Sequence, residues 1–290
     1  MRGHFNYLRP DCVTECLDIL DQHGTETAIL AGGTDVMISL RTGVKKPRII
    51  LDISRLPETR LVEPHGETVR VGSTLTYSEL IDHPVIRQEF PALRTAMGCV
   101  GSLQIRNVGT LGGNIANSSP AADSLPPMML RDAEIIIQKK GSSRIQKLEK
   151  LIVGAYSNTL ESDELITGII LRKIKKGYRE SYQRIGRRKS LSIARINAAI
   201  LGRLNDSGVI EDARISVGSV APSPMRMTNV ESHLKGRKPE LKTILEASRM
   251  IAQEIIDLVG VRHSTEYKQP AITGLALKCL EDVFLDSSVN

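Results

Sequence analysis

The stretch from Arg106 to Asp123 constrains this 290-residue chain more than any other. It reads Arg-Asn-Val-Gly-Thr-Leu-Gly-Gly-Asn-Ile-Ala-Asn-Ser-Ser-Pro-Ala-Ala-Asp. Gly109, Gly112 and Gly113 are interleaved with Thr110, Asn114, Asn117, Ser118 and Ser119. Adjacent glycines let a backbone take positive φ and come close to a ligand, because no Cβ stands in the way. Successive amide N–H groups in such a bend converge on an anion. Short hydroxyl and amide side chains add directional hydrogen bonds. Pro120 stiffens the exit, and Asp123 supplies a carboxylate just beyond the cradle. The same composition also suits an ordinary surface turn. One loop leaves both readings open.

A second stretch favours the ligand. Ile29-Leu30-Ala31-Gly32-Gly33-Thr34-Asp35-Val36 is a short apolar run that breaks into Gly-Gly, then a hydroxyl, then a carboxylate. A buried strand has this form where it delivers a turn of backbone to a bound molecule. Neither stretch has the Gly-x-Gly-x-x-Gly spacing that opens a Rossmann helix. A dinucleotide bound here is therefore held by two separate Gly-Gly loops.

Around these loops the pattern is mixed. Residues 11 to 22 predict a helix, with Val13, Leu17 and Leu20 on one face and Asp11 as its N-cap. Thr27 to Ala31 and Arg48 to Ile53 predict strands, with a helix over Val36 to Thr42 between them, which makes a small α/β unit. Val62 to Ser73 predicts a hairpin turning at His65-Gly66; a helix capped by Thr76 follows and halts near Pro84. A longer helix is expected from about Pro91 to Val100, and a short one after Ser124 with Pro126 in its first turn. Strands are expected over Ala133 to Lys139 and Glu164 to Lys173. After Gly177 come strands without crossover helices, over Glu180 to Ile185, Ile193 to Arg203 and Ala213 to Val220; Ser223-Pro224 closes their sheet. Helices are expected over about 240 to 254 and 271 to 286. The basic, glycine-containing connection near 175 to 180 predicts a boundary between domains 1–176 and 177–290.

Composition excludes several classes. Hydrophobic residues make up 41% and charged residues 25%, which fits a globular chain and not a disordered one. No apolar run approaches the ~20 residues of a membrane helix. The opening Met1-Arg2-Gly3-His4-Phe5-Asn6 has no secretory core, so a cytoplasmic location is expected. Four cysteines are too few for a disulfide framework, and none of the six histidines shows metal-ligand spacing. No metal site and no nucleophile–base pair is expected in this chain. The net charge of +6 is concentrated between Arg172 and Lys189, with Tyr178 and Tyr182 interleaved. Such a run binds nucleic acid in some proteins, but more often it is a solvated strand face.

Taken together, Ala31 to Val36, Gln104 to Asp123, Gly186-Arg187-Arg188-Lys189, Val220 to Arg226 and Arg262-His263-Ser264-Thr265-Glu266-Tyr267-Lys268 carry a resemblance. The chain resembles the FAD-binding (medium) subunit of the molybdenum hydroxylases, the family of xanthine, carbon monoxide and nicotinate dehydrogenases. The resemblance implies an α+β fold. A non-Rossmann FAD-binding domain of two subdomains, like that of vanillyl-alcohol oxidase, precedes a C-terminal domain with a three-stranded antiparallel sheet and helices. It also implies roles. Ala31, Gly32, Gly33, Thr34 and Asp35 would follow the pyrophosphate and ribityl chain, with Ile29, Leu30 and Val36 beside them. Thr110, Gly112, Gly113 and Asn114 would bind the same phosphates, and Asn117 would also contact the cofactor. Asp123 would take a hydroxyl of the FAD, and Ile166 would lie against adenine. The strand from Tyr182 to Lys189 would approach the isoalloxazine. There Gln183 stands where lysine is frequent and Ser192 replaces a frequent acidic residue, so Lys189 or Arg188 is left to supply positive charge.

The function so implied is electron transfer within a heterotrimer. An iron–sulfur small subunit with 2Fe-2S clusters and a molybdopterin large subunit are the expected partners, with no nucleic acid and no membrane. NAD is the expected acceptor, or another oxidant in its place. Two rivals remain: a free-standing FAD oxidoreductase of the same fold, and a basic nucleic-acid-binding protein whose glycine loops are only turns.

Overall fold

A computed structural model describes residues 5–188, 192–260 and 265–285. Lys189, the Arg262-His263-Ser264 part of its motif, and Asp286 at the expected end of the last helix lie outside the described residues. The chain forms two compact units. One comprises Met1–Arg87, Gly101–Ser119 and Asp132–Lys173; the other comprises Gln88–Val100, Pro120–Arg131 and Ile174–Asn290.

Among the described residues, the first unit contains two larger sheets and a two-stranded one, Ile152–Gly154 with Ser157–Asn158. Asn6–Leu8, Ile49–Asp52 and Thr27–Leu30 form a parallel sheet in that order. Its central strand, Ile49–Asp52, is buried at every position, as a parallel strand covered on both faces must be. The helix Val13–His23 lays Val13, Cys16 and Leu20 into a cluster with Leu51, Leu56 and Leu165. Each buried leucine there is worth about 1.5–3 kcal/mol. Asp11 is not its N-cap. Cys12 holds that position without a side-chain bond, and the Val13 N–H is met instead by Glu58 Oε1 at 3.1 Å. A distant carboxylate thus replaces the local cap, and the Asp11 N–H donates to Glu15 Oε2 at 2.9 Å.

The second sheet of this unit is antiparallel, in the order Val62–His65, Thr68–Gly72, Leu165–Arg172, Glu134–Lys139, Ser142–Lys147. The last strand is polar and mostly exposed, so its sequence carries little strand signal. Arg144 on that edge grips Glu164 with two bonds of 2.6 and 2.8 Å. The helix Tyr77–Asp82, capped by Thr76, halts at His83 just before Pro84, as expected, and the proline has a further role. It opens a second helix, Pro84–Glu89, because proline at a first helical position sacrifices no hydrogen bond.

The second unit is built on the antiparallel strands Tyr178–Gly186, Ala194–Leu204 and Ile210–Gly218, extended by the two-residue strand Met225–Arg226. One face packs Ile196, Ala198, Ile200, Ile215 and Val217 against the helices Thr228–Leu234, Leu241–Val259 and Thr265–Phe284. The other face packs Tyr182, Ala199 and Leu201 against Ala92, Ala96 and Leu130 of the helices Pro91–Gly98 and Leu125–Leu130. Period-two alternation assigns Ala198 and Ala199 to opposite faces. Among the described residues, no helix is long and apolar enough to cross a membrane.

Two polar clusters fix these units internally. In the second, Arg131 and Glu180 form an ion pair of 2.5 Å with side chains 2% and 3% exposed. Glu180 Oε1 also accepts the Ala92 N–H at 2.7 Å, and Arg131 donates to the Glu89 carbonyl at 2.9 Å. Removing one partner strands the other charge in the interior. Arg131→Met is therefore expected to cost about 3–5 kcal/mol in urea denaturation.

In the first unit, Asp52 Oδ2 accepts from the Tyr7 hydroxyl and from Arg9 at 2.8 and 3.0 Å, and Oδ1 accepts the Ser54 N–H at 2.9 Å. Burial alone would raise the Asp52 pKa. The bonds from Tyr7 and Ser54 and the Arg9 guanidinium outweigh burial and hold it at about 2. A depressed carboxylate stabilises the fold above its unfolded pKa and stops doing so as pH falls through the folded one. The stability gap between wild type and Asp52→Asn is thus expected to be widest near neutral pH. It should close between pH 3.8 and about 2 in acid denaturation curves.

Candidate dinucleotide site

The strand Thr27–Leu30 runs into the loop 31–35, and the helix Val36–Arg41 follows. The loop leaves the carboxyl end of a parallel strand, which is where such sheets bind ligands. Ile29, Leu30, Ala31 and Val36 are half-buried around it. Among the described residues, the N–H groups of Gly32, Gly33, Thr34 and Asp35 have no partner. Gly33 has φ +75°, which suits glycine alone at little cost. A Cβ on Gly32 would stand 2.0 Å from the Val108 carbonyl oxygen and 2.9 Å from Gly109 Cα. The first loop therefore lies backbone on backbone against the start of the second. Side chains close the contact. Asp35 Oδ1 accepts from Asn117 Nδ2 at 3.0 Å, and Asp35 Oδ2 from Thr34 Oγ1 at 3.1 Å.

The second stretch is helical where a bend is expected. Leu103–Arg106 and Leu111–Asn117 are short helices, and Gly112 and Gly113 fall in the first turn of the latter. Thr110 is its N-cap and accepts the Gly113 N–H on Oγ1 at 3.1 Å. The Gly112 N–H donates to the Ser73 carbonyl at 2.9 Å and the Asn114 N–H to the Thr110 carbonyl at 3.0 Å. These amides are already engaged within the chain. What the second stretch presents is the half-buried side chains of Asn114 and Asn117, whereas Thr110 is buried and spends its hydroxyl oxygen on the cap. Its glycines serve close packing: a Cβ on Gly112 would lie 2.6 Å from the Ser73 carbonyl oxygen, and one on Gly113 2.8 Å from Thr110 Oγ1. Near them Ser73 Oγ and Thr167 Oγ1 are buried without a hydrogen-bond partner among the described residues. Ile166, beside Thr167 on the strand Leu165–Arg172, is buried next to a bulge.

In the second unit, Asp123 is 7% exposed. Its Oδ1 accepts from the Tyr182 hydroxyl at 2.5 Å and from Asn197 Nδ2 at 3.3 Å, and its Oδ2 accepts from Arg184 at 2.8 Å. Burial pushes the Asp123 carboxyl up, against the pull of Tyr182, Arg184 and Asn197. Tyr182 is pushed well above the ordinary phenol value, chiefly by burial and then by Asp123, so it remains a donor. Gln183 is on the opposite face of the strand. Its amide donates to Asp282 at 3.1 Å, on the helix Thr265–Phe284. The cation that meets Asp123 is thus Arg184, one residue along. The period of two between Tyr182 and Arg184 was the sequence signal for it.

Gly32→Ala is expected to force the two backbone segments of the first unit apart and lower the melting temperature by roughly 5 °C or more. Gly98→Ala is the matched control. A Cβ there meets nothing within 4 Å, and in a helix it should hold or raise the melting temperature.

The sequence matches two family descriptions: "FAD binding domain in molybdopterin dehydrogenase" over residues 3–172, and "CO dehydrogenase flavoprotein C-terminal domain" over residues 180–283. It is 29% identical to the nicotinate dehydrogenase FAD-subunit of Eubacterium barkeri, covering 96% of each chain. It is 31% identical to the caffeine dehydrogenase subunit beta of a Pseudomonas species, covering 88% of this chain and 85% of that one. The carbon monoxide dehydrogenase medium chain of Hydrogenophaga pseudoflava is 27% identical, with 94% of each covered. A solved structure of carbon monoxide dehydrogenase from that organism superposes with a TM-score of 0.89 over 98% of both chains at 24% identity, a likeness of fold. The chain belongs to the FAD-binding medium-subunit family of the molybdenum hydroxylases and is an oxidoreductase flavoprotein subunit.

Proposed function

We propose that this chain binds FAD on its two glycine loops and passes electrons from 2Fe-2S centres on a small partner subunit to NAD+ or another acceptor. In this reading a large partner subunit carries molybdopterin and oxidises the substrate. Residues 1–176 serve as the FAD-binding domain and 177–290 as the C-terminal flavoprotein domain.

The observation that carries the reading is the pairing of the loops. Four consecutive unengaged amides, from Gly32 to Asp35, lie beside Asn117 and against the backbone of Val108 and Gly109. Such a run of N–H groups suits a diphosphate. Asn114 and Asn117 add side-chain donors and acceptors. Ile29, Leu30, Ala31 and Val36 exclude water from one flank, and Ile166 offers an apolar surface to adenine. Asp123 accepts from a hydroxyl of the same cofactor. Bound FAD supplies exchange of one or two electrons, which suits it to link one-electron centres with a two-electron acceptor. Among the described residues, no group of three His, Cys, Asp or Glu is placed to hold a metal ion. The names of the relatives, an FAD-subunit and a medium chain among them, support a role within a larger assembly.

The purified chain is expected to be yellow, or to become so with added FAD. At a concentration a hundredfold above Kd, FAD should raise its stability by about 2.7 kcal/mol. A colourless protein whose melting temperature ignores excess FAD defeats the proposal. Co-purification with two further chains supports the heterotrimer, whereas turnover by the isolated chain favours the free-standing oxidoreductase.

A further inference from the structure

On the reading that Asp123 takes a hydroxyl of the FAD, we infer that Tyr182 and Asn197 are positioning residues. They hold the Asp123 carboxylate ionised and fixed, and leave one acceptor lobe of Oδ2 for the cofactor.

An ionised carboxylate offers about four acceptor lobes. Tyr182 and Asn197 occupy those of Oδ1, and Arg184 occupies one on Oδ2. The fourth has no partner among the described residues. All three donors come from two paired strands. Arg184 and Asn197 are direct cross-strand partners, and Tyr182 is two residues from Arg184 on the same face. A sheet packed on both faces fixes such donors more tightly than a loop does. Arg184 is anchored further by the Cys99 carbonyl at 2.7 Å and by the Ser192 carbonyl.

The packing makes room for Asn197. It is fully buried, between Ile196 and Ala198 on its strand. Directly opposite on the next strand is Gly218, where a Cβ would fall 2.4 Å from Asn197 Oδ1. That oxygen has no hydrogen-bond partner among the described residues, and the bond the amide makes to Asp123 is through its nitrogen. Among the described residues, the groups that face Asp123 come from these strands and the segment beside them. Tyr182 and Arg184 come from the first strand, neutral Asn197 from the second, and Ser216 shares the face from the third. The Cys99 thiol, after the helix Pro91–Gly98, lies near Tyr182. Among the described residues, Arg184 is thus the one cation bonded to a carboxylate whose other two donors are neutral.

The test is a pH profile. The full-length chain, stripped of flavin, is titrated with FAD from about pH 5 to about pH 9, following flavin fluorescence. In the wild type, affinity falls on the acid side as Asp123 takes a proton, with a midpoint above the ordinary carboxylate value. In Tyr182→Phe and Asn197→Ala each lost donor moves that midpoint up by about half to one pH unit. The loss of affinity grows toward acid and reaches about threefold to tenfold below the wild-type midpoint. A loss that is the same at every pH, or an unmoved midpoint in Tyr182→Phe, overturns the inference. Tyr182→Phe removes one oxygen and keeps the ring, so it decides the matter even where Asn197→Ala does not fold. Asp123→Asn tests the underlying reading separately. It is expected to bind FAD weakly, without the acid transition. If it binds as the wild type does, Asp123 is not a cofactor ligand, and that reading is what fails.

Discussion

The first unit depends on a backbone-to-backbone contact that permits no side chain. At Gly32 two segments more than seventy residues apart approach until even a methyl group would overlap the Val108 carbonyl. Main chain rarely packs on main chain outside a sheet, because it leaves polar groups needing partners. Here the amides from Gly32 to Asp35 remain without a partner among the described residues. The contact thus spends its glycine on proximity and keeps its donors for something else. Asp35 and Asn117 then lock the approach with a side-chain bond on a part of the chain where both loops are held by regular structure.

The second unit solves a different problem. Its sheet is covered on both faces, so polar side chains along its strands, the edge strand Tyr178–Gly186 included, need partners from within. Glu180, Tyr182 and Arg184 alternate with Ser181 and Gln183 along one strand. The first set meets Arg131 and Asp123, and the second meets Asp282. Each buried carboxylate receives two or more donors, which is the condition under which an interior charge is tolerated. The basic character of this strand is therefore partly structural.

Much of this was legible from the residues. The two Gly-Gly stretches, the strands feeding them and the alternation after Gly177 all follow from local preference and period. The family followed from the order of those stretches. What escaped was decided by distant partners. Asp11 looked like a helix cap, but Glu58 performs that task from another segment. Gly112 and Gly113 looked like a bend, yet Thr110 caps them into a helix and Ser73 supplies an acceptor from a neighbouring turn. The strand Ser142–Lys147 is too polar to announce itself and forms because its neighbour needs an edge. Beyond its strand phase Arg184 carried no local signal of its own, since its role depends on a carboxylate 61 residues away, at Asp123.

Gly218 and Asn197 together occupy a space sized for one side chain. The two positions are therefore not free to drift singly. A chain of this fold that gained even an alanine at 218 would have to surrender the amide at 197, and with it a donor to Asp123. Substitution at these sites is a coupled exchange, and the order of the two steps matters: shortening 197 first leaves a void, whereas enlarging 218 first leaves a collision.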